Sequence, residues 1–193
     1  KMTAGKVLRW LVIIFLVVGR SCFSALANPV QTYGGEFDLR IPADPNRSSG
    51  AMYDAVIEIP DHFSVYDLDV GISLTHDSVF DLQIFLVSPA GTRVCLNMYD
   101  LDDYFEGEDY VDTIFDDESE IPIDQAEPQF TGRFRPKDSL AAFDGQDAYG
   151  LWRLQIYDTY YADTGRLDGF EIMVTILEPA TAILLIVGVG LAT

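Results

Sequence analysis

Residues 150–174 read GLWRLQIYDTYYADTGRLDGFEIMV. Trp152, Leu154 and Ile156 alternate with polar Arg153 and Gln155, and Phe170, Ile172 and Val174 begin a second alternation around Glu171. A period of two puts each apolar set on one face of an extended chain. The connection between the two runs is acidic and rich in Asp, Thr and Gly, so the stretch reads as two strands with one dry face each, joined by a loop carrying Asp158 and Asp163.

The same period extends outward from this pair. Phe37, Leu39 and Ile41 alternate, as do Ala55, Ile57 and Ile59; Leu68, Val70, Ile72 and Leu74; and Leu82, Ile84 and Leu86. Polar Asp69, Ser73 and Gln83 fill alternate positions, which suits antiparallel sheets with one wet face. Turn residues punctuate the runs at Ser88-Pro89-Ala90-Gly91, Asp144-Gly145 and Asp168-Gly169. No helical pattern of useful length occurs outside the chain ends. The expected fold is all-β, a jelly-roll sandwich of about eight antiparallel strands, with apolar helical segments at both termini. Residues 100–127 break the alternation, being strongly acidic, and read as a long excursion over the surface.

At 193 residues the chain suits one domain with a sizeable core. Lys1, Lys6 and Arg9 precede the apolar run Trp10 to Val18, and Ala25-Leu26-Ala27 offers small residues where a signal peptidase reads, so residues 1–27 read as a signal peptide. Its loss removes four of the 12 basic residues and none of the 31 acidic ones, leaving 8 against 31, a formal charge of −23. Such a surface excludes nucleic acid and anionic lipid headgroups as partners. A bound divalent cation would offset the self-repulsion; a surface kept acidic for solubility is the alternative. Cys95 is then a lone thiol in an exported chain, and its strand-like surroundings suit a small buried apolar residue rather than a nucleophile. Residues 28–54 form an N-terminal extension with a first strand, residues 55–177 the sandwich, and residues 178–193 an apolar end.

Two resemblances add to this reading. Glu178-Pro179-Ala180-Thr181 followed by an apolar tract resembles the PEP-CTERM sorting signal, in which Leu177 stands where that motif has its first Pro. It implies an exosortase-type processing enzyme as a partner and display at the cell surface or in extracellular matrix, with membrane contact confined to the terminal segments. Residues 57–176 resemble the P domain, or homo B domain, of proprotein convertases and bacterial subtilisin-like proteases. The landmarks are His76 and Asp81-Leu82, Ser88-Pro89 and Gly91-Thr92, Thr113 to Asp117, Phe134-Arg135-Pro136, and Gly150, Trp152, Asp158, Asp163, Gly165 and Leu167. The resemblance implies an eight-stranded jelly roll that stabilises or modulates a subtilisin-like domain without catalysing anything itself.

The residues agree on the last point. The two histidines, His62 and His76, are accompanied by no G-x-S-x-G elbow and read as hydrogen-bonded structural residues. A zinc site is expected to need three or four soft or imidazole ligands, and two histidines and one cysteine do not assemble them. Calcium prefers loop oxygens, which the chain has in excess, and the candidate ligands are the pairs Asp77 with Asp81, Asp116 with Asp117, and Asp158 with Asp163. Asx caps in turns are the alternative for Asp158 and Asp163. Two functions compete: an exported binding or structural module that engages an envelope or matrix component, and an accessory to a subtilisin-like serine endopeptidase.

Overall fold

The computed structural model describes residues 28–47, 49–98 and 107–177. The expected signal peptide, terminal helices and sorting signal lie outside these residues. Ten strands form within them: β1 (Val30–Ile41), β2 (Gly50–Ala51), β3 (Ala55–Ile59), β4 (Asp67–His76), β5 (Leu82–Val87), β6 (Arg93–Met98), β7 (Tyr110–Phe115), β8 (Phe130–Phe134), β9 (Gly150–Asp158) and β10 (Gly165–Thr175). One sheet has the order β1-β10-β4-β7-β8; the other runs β2-β9-β5-β6, with β3 beside β2 along β9. Three short 3-10 turns are the other regular elements among the described residues.

Alternation places the core. Ala55, Ile57 and Ile59 of β3, Leu68, Val70, Ile72 and Leu74 of β4, Trp152, Leu154 and Ile156 of β9, and Phe170, Ile172 and Val174 of β10 are all buried and belong to one cluster fed by both sheets. Trp152 has no exposed surface and donates its indole N–H to the Ala148 carbonyl at 2.8 Å, which removes the polar penalty of burying it. Asn97 of β6 donates to the Tyr110 hydroxyl of β7 at 2.5 Å, linking the two sheets inside the core. Cys95 is buried in β6, and burial pushes its thiol up to about 11, as suits an inert packing residue.

Two expectations change. The strand pairing is not wholly antiparallel, because β7 and β8 run parallel. The acidic stretch 100–127 is also not only a surface excursion. Its middle forms β7, an inner strand of its sheet whose Tyr110, Thr113 and Phe115 are buried. Asp112 stands at φ 48° where the register shifts between Val111 and Thr113. The bulge moves the buried set by one residue and hides the alternation.

Candidate functional site

The two regions that collect charge are built differently. The first lies where β4, β5, β9 and β10 end or begin. Register pairs Leu82 with Asp158 and Gly165 with His76, so the end of β4 in one sheet and the end of β9 in the other meet at the same end of the molecule. His76 Nε2 and Asp158 Oδ2 are 3.7 Å apart, and neither side chain has exposed surface. His76 Nδ1 lies 2.6 Å from the Ser78 carbonyl oxygen. The backbone N–H of His76 donates to Asp109 Oδ1 at 3.0 Å.

Two expected ligands, Asp81 and Asp163, lie beside this pair. Burial pushes the Asp81 carboxyl above its usual range; a hydrogen bond with Asp163 and the nearby charge of Asp158 act in the same direction, against a hydrogen bond from Ser78. Asp77 plays a different part, accepting from the Thr164 N–H at 2.9 Å and so tying the exit of β4 to the start of β10. The Thr159 N–H and hydroxyl both donate to the Asp81 carbonyl, at 2.9 and 2.8 Å. Asp158 Oδ1 accepts from the Tyr160 N–H at 3.1 Å, an Asx turn, while Oδ2 points inward without a hydrogen-bond partner. The cap and the free oxygen belong to one carboxylate.

The second region is an open concavity lined by Asp67, Asp69, Asp116, Asp117, Glu118, Arg133 and Asp144. Asp67, Asp69 and Glu118 bring oxygens within 4.8 Å of one another. Here the chain provides its own cation. Arg133 of β8 reaches Asp69 at 2.8 Å and Asp116 at 2.6 Å. These hydrogen bonds, Asp69 first, raise the guanidinium further. Burial pushes Asp116 up, but the bonds from Arg133 and from the Glu118 N–H outweigh it and hold the carboxyl below its usual range. Asp69 ends above its usual range, because its burial outweighs the same guanidinium. Asp117 turns away from its neighbour: its oxygens accept from the Ser139 hydroxyl and from the Leu140 and Ala141 N–H groups at 2.5, 3.0 and 3.0 Å, capping the 3-10 turn Leu140–Phe143.

The fold regroups the expected pairs. Asp116 and Asp117 separate, whereas Asp81 joins Asp158 and Asp163 from distant parts of the chain. His76 completes that group, and its reading as a structural histidine did not connect it to Asp158. The other histidine, His62, contacts Asp147 at 2.7 Å on the surface and stacks on Tyr149 with ring centroids 4.0 Å apart.

The sequence model described as the proprotein convertase P-domain matches residues 65–174, more than half of the chain. The chain belongs to the proprotein convertase P-domain family. The matched span begins just before β4 and ends within β10, so it contains both charged regions, while β1 to β3 lie ahead of it. No curated protein matches the chain. Among solved structures, the P domain is similar to the serine protease of Aeromonas sobria at 20% identity and a TM-score of 0.43, over 77% of this chain and 27% of that one. It is similar also to the complex of that protease with the chaperone ORF2, at 20% identity and a TM-score of 0.45, over 79% of this chain and 28% of that one. The P domain thus spans little more than a quarter of the length of either protease chain.

Proposed function

We propose that this P domain is a non-catalytic accessory module, a jelly-roll sandwich that docks onto a subtilisin-like serine endopeptidase and stabilises or modulates it. The observation that carries this reading is the continuous family match over residues 65–174, since the P domain is the accessory part of subtilisin-like proteases. Export to the cell surface or matrix belongs to the proposal too, and rests on the basic and apolar patterns of residues 1–27 and 178–193.

Docking is tested by immobilising the full chain and passing a subtilisin-like catalytic domain over it. Saturable one-to-one binding with a micromolar or tighter constant is expected for a standard interface. A signal no stronger than that of a non-proteolytic control protein would contradict the proposal. Casein hydrolysis by the chain alone that is lost in His76→Ala would contradict its non-catalytic part.

A further inference from the structure

His76 Nε2 and Asp158 Oδ2 are both buried and both without a hydrogen-bond partner, although they face each other across 3.7 Å. Buried polar atoms in a folded protein are nearly always satisfied, so two unsatisfied ones aimed together need a common explanation. The other ring nitrogen supplies it. In the tautomer that donates from His76 Nδ1 to the Ser78 carbonyl oxygen at 2.6 Å, Nε2 carries no proton; the Ser78 N–H lies 3.1 Å from the same Nδ1. That tautomer presents a lone pair at Nε2 to the facing Asp158 oxygen. Two acceptors facing each other out of water repel unless a cation sits between them.

The gap suits a metal ion. At about 2.1 Å from a nitrogen and an oxygen ligand, a zinc-sized ion would span the 3.7 Å separation with an angle of about 120°. A ring held by its Nδ1–H on a backbone carbonyl is also how metal-binding histidines are oriented. Further ligands are close at hand. Asp81 precedes Leu82, the residue paired with Asp158, and Asp163 lies two residues before Gly165, which is paired with His76. Asp158 and Asp163 both act to raise the Asp81 carboxyl, which places the three carboxylates within reach of one another. Close approach is written into the backbone: a Cβ on Gly165 would lie 2.2 Å from the Thr75 carbonyl oxygen and 2.4 Å from His76 Cδ2.

We propose that His76, Asp158, Asp81 and Asp163 bind one divalent cation of the zinc class at the end of the sandwich where the two sheets meet. The imidazole nitrogen distinguishes this site from the all-oxygen calcium site expected of the aspartates alone, because calcium takes oxygen ligands whereas imidazole suits zinc. The ion would tie the ends of four strands together, independently of any protease partner. By contrast, in the cluster of Asp67, Asp69 and Glu118 the Arg133 guanidinium binds Asp69 and the adjacent Asp116, and none of the three has a buried side-chain oxygen without a partner.

The test is titration of the chelator-treated full chain with zinc, manganese, calcium and magnesium chlorides, followed by calorimetry and thermal denaturation. One zinc per chain is expected, with a higher melting temperature. His76→Ala should weaken zinc binding at least tenfold, Asp163→Asn should weaken it less, and His62→Ala should leave it unchanged. A ring nitrogen shift at His76 Nε2 on adding zinc, measured by nitrogen-15 NMR of the native chain, provides a readout that does not depend on the variants folding. The proposal is overturned if no metal binds stoichiometrically, which would leave a proton on Nε2 as the shared cation. It is overturned equally if zinc binding survives His76→Ala, or if calcium alone binds and ignores His76.

Discussion

The end of the sandwich around His76 and Asp158 and the concavity around Arg133 are both rich in carboxylates, and they solve the same electrostatic problem differently. In the concavity the chain inserts a guanidinium between Asp69 and Asp116. At the sandwich end the counterpart of that guanidinium is an imidazole whose available nitrogen faces a carboxylate with no hydrogen bond between them. A count of acidic residues cannot separate the two cases. What separates them is whether a permanent cation is built into the fold or must be supplied from outside.

The largest effect should come from disturbing the sandwich end, where backbone and side chain are already in contact. Gly165→Ala forces a Cβ against the Thr75 carbonyl and the His76 ring, and is expected to destabilise by about 2–3 kcal/mol. Thermal denaturation should show a loss of roughly 5–10 °C for a domain of this size. An unchanged melting temperature would mean that this end is loosely packed.

Arg133→Met should cost less, no more than about 1 kcal/mol, because the guanidinium is half exposed and screened. Its deficit should shrink in 1 M salt, where repulsion among the stranded carboxylates is damped. A salt-independent deficit would assign the role of Arg133 to packing instead.

Asp116 sharpens the contrast through pH. Its carboxyl is held below the usual range in the folded chain. The folded state then binds fewer protons than the unfolded state over the interval between the two values, so stability rises with pH there. The contribution is complete above the ordinary carboxylate value and disappears as pH falls through the depressed one. Asp116→Asn should therefore flatten the acid side of the profile of melting temperature against pH while changing its neutral plateau only modestly. The smallest effect is expected for His62→Ala: the ring lies on the surface beside Asp147 and Tyr149, and its loss should stay within about 0.5 kcal/mol.

Six strands were legible as simple alternations because their apolar residues recur on one face: β1, β3, β4, β5, β9 and β10. The strands missed are those whose period is interrupted. In β7 the bulge at Asp112 shifts the buried set, and in β8 only Phe130 and Phe134 are buried, with Gly132 at φ 107° between them. The parallel pairing of these two strands left no hairpin signal. At the charged regions, the residue types were legible and their grouping was not. Asp158 and Asp163 are neighbours in sequence, but their approach to Asp81 and His76 depends on the registers of β5 with β9 and of β4 with β10. Asp117, adjacent to Asp116, was claimed by the amides of a turn more than twenty residues away.

The central claim is that this P domain serves a subtilisin-like protease. It is tested most directly by the half-life of a subtilisin-like catalytic domain, lacking a P domain of its own, during thermal inactivation with and without an equimolar amount of the full chain. The account predicts a half-life at least severalfold longer with the chain present, and a return toward the unprotected value when the chain carries Gly165→Ala and is partly unfolded at the assay temperature. An identical half-life with and without the chain, for proteases from the organism that produces it, would contradict the account.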